Sequence, residues 1–370
     1  MSAIESLAAP AAAQASRAGR RMRGVRIWLL CVAALVFAMV LVGGATRLTE
    51  SGLSITRWQP ATGVVPPLSG ADWQAEFARY KQIPQYAELN PDMNLDGFKT
   101  IFYWEWSHRL LARIIGLAFV LPLLWFWRKG RLAGALGRQI LVATGLLASE
   151  PVVGWWMVAS GLSDRVEVSQ YRLAAHLLIG TATFGALLWA AIGLRERAPA
   201  VASRRLAAAS GVLAALVFCQ IGLGALVAGL RAGLTFNTWP LMDGRLIPDG
   251  LFILAPWWRN LFEDATTVQF DHRLLAYVVV AFALWHAAAA RAAPATALAR
   301  RALALGVLAL SQAALGVVTL LLAAPIWAGL LHQAFAMLLF GMAVAHWRAV
   351  SIAKSRPKGA GFPAGGPTFG

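Results

Sequence analysis

The chain has 370 residues, of which 59% are hydrophobic and only 14% charged. Its apolar residues run in long blocks instead of the alternating faces of a water-soluble domain, which excludes a soluble globular enzyme and indicates an integral membrane protein. The net charge of +16 would suit a nucleic-acid binder, but the Lys and Arg residues fall largely in alternate loops. They report membrane topology and imply no nucleic-acid partner.

A helix crosses the hydrocarbon core with about 20 apolar residues. Eight stretches reach that length, at roughly 27–45, 108–127, 139–159, 172–194, 206–229, 272–290, 300–323 and 327–347. The expected fold is therefore all-α, with eight transmembrane helices and both termini on one side. Residues 1–26 form a basic N-terminus (Arg17, Arg20, Arg21, Arg23, Arg26), and the segments 128–138, Arg195 to Arg205, Arg291 to Arg301 and 348–370 are also basic. Positive residues near helix ends stay cytoplasmic, so both termini are placed there. The first block is not read as a cleaved signal peptide, because it lacks an A-x-A site and is needed to complete the eight. Cys31 and Cys219 lie inside predicted helices without C-x-x-C spacing, so neither a disulfide nor a cysteine metal site is expected. The Gly- and Pro-rich tail from Lys354 reads as disordered.

The chain is an internal repeat of two four-helix halves, 27–194 and 206–347. GGATRLTESGLSITRW (43–58) aligns with GALVAGLRAGLTFNTW (224–239), pairing Gly43 with Gly224, Leu53 with Leu234 and Trp58 with Trp239. After a register shift, His108-Arg109-Leu110-Leu111-Ala112 aligns with His272-Arg273-Leu274-Leu275-Ala276, and His176 with His332. An even number of helices per half makes the repeat parallel, about an axis along the membrane normal, unlike the inverted repeats of many transporters. The long connections 46–107 and 230–271 lie on the outer face, toward the histidines.

His108 and His272 are expected to open helices at the outer surface, with His176 and His332 about one turn into theirs, so the four share one depth. His286 and His346 each follow a site histidine by 14 residues, about 21 Å of helix. They are expected at the cytoplasmic interface and not as ligands. A lone histidine of this kind would be a packing residue. Two repeated pairs at one depth are instead the arrangement that clamps a haem iron from both sides, one site per half. Zinc would require further protein ligands. Trp104, Trp106, Trp155, Trp156, Phe270 and Trp327 supply an aromatic surround, and Arg109, Arg172 and Arg273 are candidate partners for haem propionates, with surface snorkelling as their ordinary role.

The halves differ in one ionisable group. Glu105 stands three residues before His108, and Gln269 stands three before His272. If Glu105 continues the helix of His108, both side chains share a face. A carboxylate can take a proton or stabilise positive charge, which an amide cannot. The first half then reads as the reaction site and the second as a permanent cofactor site. A polar residue also precedes a mid-helix glycine by four in three helices: Glu150 before Gly154, Gln220 before Gly224, Gln312 before Gly316. The glutamines read as packing residues. Glu150, a carboxylate costing about 2.5–3.5 kcal/mol at mid-membrane, must be protonated, paired or turned to a cavity.

EWSHRLLAR, GWWMVASGL (154–162), LTFNTWPLMDG (234–244), FDHRLLAY and LLHQAF (330–335) resemble haem A synthases over about residues 27–348, in the form shared by many Gram-negative bacteria and mitochondria. The chain lacks the outer-loop cysteine pair of other branches, and Glu150 stands where that family leads one to expect glutamine. The resemblance implies oxidation of one ring methyl of haem O to a formyl group by two successive hydroxylations and loss of water, giving haem A for cytochrome oxidase. It further implies His272 and His332 as axial ligands of a haem b cofactor, His108 and His176 as the substrate-haem site beside Glu105, and an inner-membrane location with the sites toward the periplasm. Haem O synthase is the partner the pathway suggests, in a lipid surround that allows an oligomer. The competing readings are a dihaem b-type electron-transfer protein, which gives Glu105 no reason to differ from Gln269, and a transporter.

Overall fold

The computed structural model describes residues 3–60, 62–194, 203–291 and 296–354, and no strand occurs among them. Helices α1 (Ala3–Leu48), α4 (Leu95–Arg128), α5 (Gly134–Ala159) and α6 (Gln170–Gly193) make the first half; α2 (Gly70–Tyr80) and α3 (Pro84–Leu89) lie in its outer loop. Helices α7 (Arg204–Gly229), α9 (Ala265–Arg291), α10 (Thr296–Leu321) and α11 (Ile326–Lys354) make the second, preceded at α9 by the short α8 (Asn260–Glu263). The eight long helices are each apolar and long enough to cross a membrane. α1 begins at Ala3, so the described part of the basic N-terminus continues the helix of the first span. Residues 355–370 of the tail lie outside the described residues.

The apolar blocks locate the spans but miss how far the helices extend beyond the bilayer. α4 starts at Leu95 with Asn94 Oδ1 accepting from the Gly97 amide, and Asp96 sits in its first turn. Its first turns are polar and aromatic, as suits a helix standing out of the membrane into the outer loop. His108 therefore does not open a helix; it lies 13 residues inside one. His272 is similarly seven residues into α9, whereas His176 and His332 lie six residues into α6 and α11.

In the second half α7, α9, α10 and α11 pack as a closed ring. In the first half α4 packs on α1, α1 on α6 and α6 on α5, but α4 and α5 do not close the ring. Glycines show the difference. A Cβ on Gly306 of α10 would touch Leu284 and Ala287 of α9. On Gly116 of α4 or Gly145 of α5 it would meet nothing within 4 Å. Gly116 is turned about 80° from His108, away from the α1 side, where Trp28 Nε1 donates to the Ala118 carbonyl. The halves meet where α6 packs on α7 and α11 and α1 packs on α11, around a shared core that includes Phe184, Leu213, Met337 and Phe340.

Candidate functional site

Each of the four site histidines lies against a glycine of a neighbouring helix. A Cβ at Gly43 would stand 3.3 Å from His108 Nε2, and at Gly154 3.1 Å from His176 Cε1. At Gly224 it would stand 3.2 Å from His272 Cε1, and at Gly316 2.8 Å from His332 Cε1. Real Cβ atoms avoid such approaches, so the glycines are cradles for imidazole rings. They bring His108 of α4 to α1, His176 of α6 to α5, His272 of α9 to α7 and His332 of α11 to α10. Each half thus carries two cradled histidines, His108 and His176 in the first and His272 and His332 in the second, and all four rings are only partly covered. The second-half pair lies on opposite members of the ring, α9 and α11, with a side-chain cradle on each of the other two helices. This donor set fits an iron macrocycle held between two imidazoles.

The residue four before each cradle glycine is not mere packing. Gln220 Nε2 lies 3.1 Å from His272 Nδ1 and donates to the His272 carbonyl at 2.9 Å. Gln312 does the same to His332, at 3.2 Å and 3.0 Å. Glu150 Oε2 lies 2.6 Å from His176 Nδ1. The corresponding residue before Gly43 is Met39, which has no N–H or O–H to offer. The sequence signal for these contacts was the repeated spacing itself; their histidine partners, on other helices, could not be read from it.

Glu105 and Gln269 are both buried, at 2% exposure each. Glu105 continues the helix of His108, and four donors converge on its carboxylate. Arg109 Nε and Nη2 reach Oε1 at 3.1 and 2.6 Å; Ser54 Oγ and the Ile55 amide reach Oε2 at 2.8 and 2.7 Å. Those four bonds use the whole acceptor capacity of an ionised carboxylate. At the repeat position Gln269 Nε2 instead donates to the Phe236 carbonyl at 3.0 Å. The outer strap thus presents an N–H to Glu105 and a C=O to Gln269.

The three arginines do different work. Arg109 also donates to the carbonyls of Ile55 and Arg57, and Arg273 donates to the repeat-equivalent carbonyls of Phe236 and Thr238, so both tie the outer strap to the histidine helix. Arg172 donates to the Trp156 carbonyl and lies over the Trp156 ring. Every guanidinium nitrogen of Arg109 is occupied, whereas Arg273 Nε keeps a buried N–H without a hydrogen-bond partner. Sequence reasoning missed Arg113, whose Nη1 is also unpartnered and which, with Gln59, Trp106 and Arg109, borders an outer cleft of about 310 Å³.

His286 and His346, expected at the cytoplasmic interface, face into the bundle. They are 0% and 1% exposed and joined by a 3.0 Å hydrogen bond between their Nε2 atoms, with Ser210 Oγ 3.4 Å from His286. Fourteen residues return a helix to nearly the same face, so a pair on the inner faces of α9 and α11 recurs inside the bundle. These rings pack edge to face, with centroids 5.1 Å apart.

A family model described as cytochrome oxidase assembly protein (COX15-CtaA) matches residues 26–344. A heme A synthase of Mesorhizobium japonicum is 53% identical over 335 residues, 90% of this chain and 92% of the relative. That of Beijerinckia indica subsp. indica is 52% identical over 361 residues, covering 95% and 99%, and that of a Chelativorans species 54% identical over 344 residues, covering 92% and 95%. With the eight membrane-spanning helices, the match over nearly the whole chain shows that this multi-pass membrane protein belongs to the COX15-CtaA family of cytochrome oxidase assembly proteins.

Proposed function

We propose that the chain is a haem A synthase of the inner membrane, oxidising a ring methyl of haem O to the formyl of haem A, with both termini cytoplasmic and the haem sites toward the periplasm. The observation that carries the division of labour is one scaffold with two chemistries: cradled histidine pairs in both halves, a carboxylate at 105 and an amide at 269. The unclosed seam between α4 and α5 supports it. A substrate that enters and leaves needs an opening, and a permanent cofactor is better kept in a closed ring.

Each hydroxylation replaces one C–H bond of the methyl by C–OH, a two-electron oxidation of that carbon that an external oxidant must supply, and the second yields a gem-diol that loses water to leave the aldehyde. His108 and His176 hold the substrate haem. His272 and His332 hold haem b, which supplies one-electron transfer when bound. Glu105 has no unengaged lone pair with which to take a proton, so of its two candidate roles the arrangement favours the electrostatic one, stabilising cationic character at the methyl carbon. Arg109 keeps the carboxylate in place. Arg113 and Arg273 retain N–H groups suited to propionates. A pathway partner such as haem O synthase is compatible with the lipid-facing seam.

Glu105→Gln is expected to abolish haem A and its alcohol precursor while the second-half haem b spectrum persists. Haem extraction and optical spectra of the purified protein read both, and undiminished haem A would overturn the role. A dihaem electron-transfer protein would contain haem B alone.

A further inference from the structure

We propose that Glu150 is a positioning residue that makes His176 a stronger iron ligand than the other site histidines; the inference rests on His108 and His176 holding the substrate haem. Three cradles repeat one device, in which the side chain four residues before the glycine reaches Nδ1 of the ring lying over it. Two of the three are amides, on His272 and His332, and only His176 meets a carboxylate.

Glu150 Oε2 and His176 Nδ1 stand 2.6 Å apart, off the line of a ring N–H; two lone pairs at that distance would repel, and a turn of the ring places an Nδ1 hydrogen between them. The Nδ1 hydrogen leaves Nε2 bare, the form an iron ligand requires. Little else competes for this carboxylate. Its Oε1 has no hydrogen-bond partner among the described residues. The carboxylate is 18% exposed, turned inward to the histidine and not out to lipid. That partner answers why a carboxylate persists within a membrane-spanning helix.

The glutamines turn their N–H groups, not an acceptor, toward Nδ1 of His272 and His332, whereas the Glu150 carboxylate offers Nδ1 an acceptor, so the His176 imidazole pushes more electron density through Nε2. Stronger axial donation favours the oxidised iron and lowers the reduction potential. His108, with Met39 in the equivalent place, receives no such help. The ligands of the first site are therefore unequal, whereas the second site has a matched pair, each flanked by a glutamine amide.

The test uses the full-length protein, purified from cells that make haem O, in wild type, Glu150→Gln and Gln220→Glu forms, with potentiometric titration followed optically. His272→Ala identifies which component belongs to the second half. Glu150→Gln is expected to raise the potential of the first-half haem alone and to lower turnover roughly 10–100-fold. Gln220→Glu is expected to lower the potential of the second-half haem. A Glu150→Gln protein whose first-half potential is unchanged overturns the inference and reduces Glu150 to packing, even if turnover falls. If that variant holds no first-half haem, the reciprocal variant decides, and an unmoved potential in Gln220→Glu overturns it. If Glu150→Gln instead shifts the component that His272→Ala removes, the assignment of the halves fails while the carboxylate effect stands.

Discussion

Gly316 shows how a single missing methyl group can serve a site. In an ordinary helix interior Gly→Ala gains up to about 1 kcal/mol, but here the new Cβ would stand 2.8 Å from His332 Cε1 and force the ring aside. Gly316→Ala is expected to lose haem b by tenfold or more, roughly as for the loss of a ligand-orienting group, read as pigment per protein. Gly306→Ala in the same helix is the control, because its Cβ would make an ordinary 3.4 Å contact with Leu284, and it should retain the pigment. The glycines stood in the sequence at a repeated spacing. Which ring each one received depended on helix rotation, which spacing alone does not contain. His286 and His346 carried the same ambiguity: distance from the membrane centre could be counted along the chain, but the facing of the two rings could not.

At the scale of elements, the outer loop holds local structure that its polar composition concealed. The N-terminus of α2 is closed by a reciprocal cap, the Asp72 amide donating to Ser69 Oγ and the Ser69 amide to Asp72 Oδ2, both at 3.1 Å. Its signature, Ser69 followed three residues later by an acid, was legible. Hydrogen bonds from the Ser69 side chain and backbone hold the Asp72 carboxyl below the usual carboxylate range. A folded-state value below the unfolded one means that the stabilisation is present above about pH 4. It is lost as pH falls through the lowered folded value. Hydrogen exchange of the 70–80 amides should therefore be faster in Asp72→Asn than in wild type at neutral pH, and the two should converge in acid. At the other end of α2, burial pushes the Tyr80 hydroxyl up to about 12, so it stays protonated, donating to Gln85 Oε1 and accepting from Asn90 Nδ2. The outward extension of α4 escaped the apolar-block reading for a related reason: a helix end in water is specified by caps and charges, not by hydropathy.

At the scale of the molecule, the halves are joined inside the membrane and at its outer edge. Gln333 of α11 donates to the Val40 carbonyl of α1 at 3.1 Å and fills the space a Cβ on Gly44 would need. At the outer edge Glu167 pairs with Arg47 at 2.6 Å and also with Arg231, which in turn pairs with Glu50 at 2.5 Å. These ion pairs join the end of α1, the α5–α6 loop and the residues after α7. Gly44→Val should displace Gln333, break its bond to α1 and cost about 1–3 kcal/mol through overpacking, read as a lower unfolding temperature in detergent. Unchanged stability would show that this contact does not hold the halves together.

The sequence by itself determined the eight spans, the aligned motifs of its two halves and the Glu105/Gln269 difference. These are properties of order along the chain: bilayer thickness counts apolar residues, basic residues mark one side, and a duplicated scaffold leaves aligned motifs. Only the tertiary structure decided which glycine cradles which imidazole, that Glu105 is held by four donors, that Glu150 meets His176, that His286 and His346 bond to each other, and that one ring closes while the other stays open. Each of these depends on how far each helix is rotated and on ångström-scale distances between residues tens to hundreds of positions apart, which the packing of eight helices sets together.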